Sequence, residues 1–161
     1  MKQAEMSRYL KMITLGIGVV FLICVAWFIP SVLREMVVEN SGMTIFRVVV
    51  GLIWITSVPC FLCLWKFWGV CVRIGKDESF SKENADALKS MSYYMLTDSI
   101  LYVIIFAVAC IGRWYVPYGM ILLFGLLIIL AVCISLTVLC ASLSHLVYKA
   151  SLLQDEQDLT I

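Results

Sequence analysis

Residues 12–29, 48–65 and 114–144 contain no charged side chain. An 18-residue helix is about 27 Å long at 1.5 Å per residue, close to the ~30 Å hydrocarbon core of a bilayer. Apolar stretches of this length constrain the chain more than any other feature. The composition agrees: 63% of residues are hydrophobic and 14% charged, where soluble domains run at roughly 45–50% and about 25%. The fold class is therefore all-α, an integral membrane bundle of four transmembrane helices forming one domain over 1–161. The spans fall at about 12–29, 48–66, 92–111 and 117–144, with a polar loop at 67–91 and a tail at 148–161.

Each span has its own argument. Pro30 is expected to end the first, since it lacks the N–H that would continue the ladder. That run is too long for the apolar part of a signal peptide, and no small-x-small site follows it. Pro59 lies inside the second and predicts a kink rather than a break. The third is uncharged only over 99–111 and becomes a span if Asp98 is tolerated. The fourth is longer than a bilayer needs, so it tilts or projects into water. Ser142, Ser144 and His145 favour projection. Trp27 and Phe28, Trp65 and Trp68, Tyr93 and Tyr94, and Trp114, Tyr115 and Tyr118 mark span edges, where rings with one polar end settle.

Nine Lys and Arg side chains lie in the N-terminal segment, the middle loop and the tail, against Arg34, Arg47 and Arg113 in the other two connections. By the positive-inside rule both termini and the middle loop face the cytoplasm, N-in and C-in. The net charge is +1 and there is no basic run, so direct nucleic-acid binding is not expected. The seven cysteines lie almost entirely in apolar runs, unlike a secreted disulfide framework.

The middle loop starts a helix well. Ser81 is suited to cap a helix beginning at Lys82, and Glu83 and Asp86 suit its dipole. Phe80 precedes the cap, and Ala85, Leu88, Ser92 and Met95 share a face. Phe80, Ser81, Asn84 and Leu88 form either a structural helix start or a docking ledge for a cytoplasmic partner. The tail carries Asp155, Glu156 and Asp158 and ends Leu159-Thr160-Ile161. An acidic tail stands off an anionic leaflet, and Asp158, Leu159, Thr160 and Ile161 read as a second docking element.

Phe80-Ser81-Lys82-Glu83-Asn84 followed by Leu88, together with the ending Asp158-Leu159-Thr160-Ile161, resembles the YoaS-like bacterial family (domain of unknown function 2975). The resemblance extends over the chain in length and span layout. It implies a small four-spanning protein of the bacterial inner (plasma) membrane. The family has no established activity, and the resemblance supplies no catalytic residues. It implies a cytoplasmic partner, a small helix-turn-helix regulator of the Cro repressor type.

Asp98 is the most informative polar residue. An acid inside a span costs about 2.5–3.5 kcal/mol on insertion scales and usually faces other helices or marks function. Asp98, Lys66, His145 and Lys11 are grouped here as a candidate polar cluster near the cytoplasmic interface. Cys60-Phe61-Leu62-Cys63 has redox spacing, but in mid-span its thiols read as inert packing groups. Cys133 and Cys140, seven apart, share a face. Gly16-Ile-Gly18 and Ala131-x-x-x-Ser135 are small-residue pairs that suit close helix contact, a second copy of the chain included. No nucleophile–base pair, metal-ligand set or cofactor motif is present. The expectation is a non-enzymatic membrane anchor or signalling component acting with a cytoplasmic partner, with no cofactor. The alternative is a small transporter or channel using Asp98.

Overall fold

The computed structural model describes residues 3–31, 34, 43–76, 78–111 and 120–158. All regular structure among them is helical. Helix α1 (Gln3–Ile23) runs on through a π-helical turn, Cys24–Phe28; α2 is Met43–Ile74, α3 is Lys82–Ile111 and α4 is Met120–Asp158. Four segments are long and apolar enough to cross a membrane: Glu5–Ser31, Val50–Ile74, Lys82–Ile111 and Leu123–Gln154. Arg113, Trp114, Tyr115, Tyr118, Leu159, Thr160 and Ile161 lie outside the described residues.

The prolines behave differently from one another. Pro30 does not end the first helix, which continues through residues 29–31. The π turn precedes it, with Ile29 N–H bonded to the Cys24 carbonyl. A widened turn makes room for the ring against the preceding carbonyls. Pro59 sits within an unbroken α2. In the turn before it, the Thr56 and Ser57 hydroxyls donate to the Ile53 and Trp54 carbonyls at 3.0 and 2.7 Å. The carbonyl that loses its N–H donor to Pro59 is that of Ile55, and these bonds fall on the two carbonyls before it.

Among the described residues of the middle stretch 67–91, only 75, 76 and 78–81 are not helical, and the tail stretch 148–158 is helical. At 39 residues, α4 is about 58 Å long, nearly twice the hydrocarbon thickness. One upright crossing does not take up that length.

The distribution of side chains is the reverse of a water-soluble domain. Large apolar groups such as Ile17, Trp54, Ile104, Phe124 and Leu146 are exposed, while Cys71, Ala85, Ser99, Ala109 and Cys133 are buried. In lipid, exposed leucines cost nothing, and helices associate through small residues, close packing and hydrogen bonds. The buried face of α3 passes through Ala85, Leu88, Ser92, Met95 and Ser99. That of α4 passes through Cys133, Cys140, Ser144 and Ser151. Steps of three, four and seven keep each row on one side of its helix, and α3 packs most extensively on α4.

The helices otherwise pack in chain order, α1 on α2 and α2 on α3. Leu88 and Met91 of α3 and Cys140 of α4 form a small core, covered by Cys63 and Phe67 of α2 and Val147 of α4. The α1–α2 contact is polar. Ser7 Oγ donates to the Cys71 carbonyl at 2.6 Å, and Thr14 Oγ1 lies 3.8 Å from Cys71 Sγ. Gly75 permits this approach: a Cβ there would meet Ser7 Oγ at 2.6 Å. The small pairs singled out in the sequence do not serve the packing. Gly16 and Gly18 have nothing within 4 Å of where a Cβ would sit, and Ala131 and Ser135 are exposed.

Candidate functional site

Asp98 lies midway along α3 and is fully buried, at 0% exposure. Its neighbours come from the two helices that flank α3. Cys60 of α2 donates its thiol to Oδ2 at 3.2 Å, and Cys133 of α4 donates to the same oxygen at 3.8 Å. Oδ1 has no hydrogen-bond partner. One turn further along α3, Tyr102 donates its hydroxyl to Thr56 Oγ1 at 3.4 Å. The carboxyl is thus held among weak donors, with one oxygen left over.

The candidate polar cluster is not assembled. Among the described residues no ion pair or hydrogen bond joins Asp98 to Lys66, His145 or Lys11. Helix register explains why. Lys66 lies six residues beyond Cys60, about 9 Å along α2, and His145 twelve beyond Cys133, about 18 Å along α4. Lys11 lies near the Thr14–Cys71 contact, and Cys71 is about 16 Å along α2 from Cys60. The three side chains line three different surface depressions. Lys66 lies with Trp65, Arg73 and Glu83, His145 with Lys89 and Tyr148, and Lys11 with Ser7 and Lys76. Asp98 sits between α2 and α4, apart from all three. Its partners are the two cysteines read as packing residues, and only cross-helix register could have found them.

The second polar centre closes the 75–81 loop. Ser81 caps α3 as expected, its Oγ accepting from the Asn84 N–H at 3.3 Å. Asn84 is 1% exposed. Its Nδ2 donates to the carbonyls of Glu78 and Ser79 at 3.0 and 3.1 Å, and its Oδ1 accepts from Arg73 Nη1 at 3.2 Å. This one amide ties the end of α2 and the loop to the first turn of α3. Leu88 is buried in the core. Asn84 and Leu88 therefore face inward and offer a partner no surface, while Phe80 stands out at 57% exposure. At the same end, Ser144 Oγ donates to the Ala85 carbonyl at 2.8 Å, fixing α4 to α3. In the tail, the backbone of Asp158 ends α4, and Leu159, Thr160 and Ile161 lie beyond the description.

Among the described residues no three His, Cys, Asp or Glu side chains are grouped to hold a metal ion. Around Asp98 the two thiols address one carboxylate oxygen.

Four membrane-length apolar helices, lipid-type packing and, among the described residues, a single buried acid are the features of a small membrane protein. The chain belongs to the family described as Protein of unknown function (DUF2975), which matches it over residues 9–161. No curated protein and no solved structure matches the chain.

Proposed function

We propose that the protein is a non-enzymatic membrane anchor or regulatory component. It is a four-helix bundle of the bacterial cell membrane, with both termini and the 75–81 loop in the cytoplasm, where it holds a partner. Phe80 carries this reading. A large aromatic side chain stands in the open on a backbone that Asn84 fixes through two loop carbonyls. Aromatic side chains are enriched at protein interfaces, and a contact ordered in advance loses less entropy on binding. The partner implied by the family resemblance is a small helix-turn-helix regulator. Affinity capture of the full chain from native membranes tests this. A small DNA-binding protein co-purifies with the wild type and is lost from Phe80→Asp. Capture that is empty, or unaffected by Phe80→Asp, defeats the proposal. Sidedness is read by labelling single thiols at positions 78 and 113 of a cysteine-free chain with an impermeant reagent in intact cells. Position 113 reacts and position 78 does not.

Asp98 favours a second reading, a small transporter or channel. The observation behind it is the partnerless Oδ1 of a fully buried carboxyl. Such an oxygen is a point of attachment for a proton or small cation. Purified protein in liposomes then conducts an ion, and Asp98→Asn abolishes the flux. Liposomes without flux above the empty control dispose of this reading.

A further inference from the structure

A groove of about 600 Å³ runs between α3 and α4 at the end of the molecule that carries the 75–81 loop. Its lining changes character along the helix axis. Along α3 it passes Asp86, Lys89, Tyr93 and Leu96 from the loop end inwards, with His145 and Tyr148 of α4 at the outer end and Thr137 at the inner end. From Lys89 to Leu96 is seven residues, about 10 Å of rise. Along α3 the order from the loop end inwards is therefore acid, base, aromatic ring, apolar side chain.

Asp86, Lys89 and His145 are exposed. Among the described residues none of their side chains makes a hydrogen bond or ion pair. Asp86 and Lys89 lie one turn apart without pairing to each other. Tyr93 and Tyr148 add two further hydroxyls, and Tyr93 and Leu96 are 58% and 45% exposed.

We infer that this groove seats one zwitterionic aminophospholipid. The lipid matches the lining in order: ammonium outermost, phosphate next, glycerol and acyl chains below. Lys89 faces the phosphate, Asp86 accepts from the ammonium, and an acyl chain lies over Leu96. Basic pockets between membrane helices are a recurrent way of holding lipid headgroups. The acid outside the base selects an amine-bearing headgroup over one that ends in hydroxyls. A quaternary ammonium has no N–H to give Asp86. This inference adds a ligand to the membrane reading of the chain and is independent of the partner proposed at Phe80.

Native mass spectrometry of the full chain in detergent tests it, with phosphatidylethanolamine, phosphatidylglycerol and phosphatidylcholine supplied in equal amounts. The wild type retains one phosphatidylethanolamine at least five-fold over either competitor. Asp86→Asn brings phosphatidylethanolamine down to the level of phosphatidylglycerol. Lys89→Gln lowers retention of all three. Lys76→Gln, an exposed cation outside the groove, leaves the pattern unchanged. Equal retention by the wild type overturns the inference, as does an Asp86→Asn protein that keeps the preference. An equal loss in Lys76→Gln also overturns it, since the effect would then be bulk charge. Free phosphoethanolamine at the same concentration does not displace the lipid; displacement would refute the acyl-chain half of the seat.

Discussion

The Cys60 thiol reaches Asp98 Oδ2 across 3.2 Å, from the helix before the 75–81 loop to the helix after it. Both side chains are polar groups in otherwise apolar stretches, and each is the other's means of avoiding an unpaired hydrogen-bonding atom in lipid. Cys60→Ala removes the nearer of two donors to that oxygen. We expect destabilisation of about 1 kcal/mol, the usual weight of one hydrogen bond, since Cys133 still addresses that oxygen. Asp98→Asn keeps volume and polarity and stays within about 1 kcal/mol of the wild type. Thermal unfolding in a single detergent ranks the two. A Cys60→Ala protein as stable as the wild type would show that the contact has no energetic weight.

Asn84 makes three side-chain hydrogen bonds. At about 1 kcal/mol each, Asn84→Ala lowers stability by about 2–4 kcal/mol, and it frees the loop before it unfolds the helices. Trypsin cleavage after Lys76 reads this directly. The rate rises at least ten-fold in Asn84→Ala, while Phe80→Ala, whose ring lies outside, leaves it near the wild-type value.

Gly75 is tested by adding one methyl group. Gly75→Ala drives a Cβ to 2.6 Å from Ser7 Oγ, and overpacking of this kind costs about 1–3 kcal/mol. Ser7→Gly in the same chain removes both obstructing Ser7 atoms and recovers part of the loss. Additive losses in the double variant would rule out direct contact between the two positions.

Ser144→Ala removes the α4-to-α3 bond at the Ala85 carbonyl. Inter-helix bonds of this kind average about 0.6 kcal/mol in membranes, so the shift is small. Cys140→Leu, which overfills the adjacent core, does more harm. The opposite ranking would place the energy of the pair in the hydrogen bond rather than in the packing.

How much of this could be read from the chain depends on whether the signal is local. The uncharged runs fix where helices cross, because lipid demands internal backbone bonding over about 20 residues. Ser81 capping Lys82 onward is local and legible. Asp98 was legible as an exception to its surroundings, but its environment was not. Its partners lie 38 and 35 residues away, and their identity depends on how α2 and α4 slide against α3. Lys66 and His145 looked near Asp98 because sequence gives sidedness without depth. Asn84 reads as an ordinary first-turn residue, since nothing in its neighbours reveals that the loop folds back onto its amide. Pro30 misleads for a related reason: a π turn has no sequence signature strong enough to announce it.

The Asp98 site has an order of assembly built into it. Cys60 precedes the acid in the chain and Cys133 follows it by 35 residues. During synthesis α3 reaches the bilayer ahead of the helix that carries the second thiol, and only α2 is there to receive the carboxyl. The α2–α3 hairpin therefore bears the burden of admitting Asp98, and α4 closes over an acid already in place. A released chain truncated before α4 would carry Asp98 on a helix open to lipid along its widest contact face, in the form most exposed to quality control.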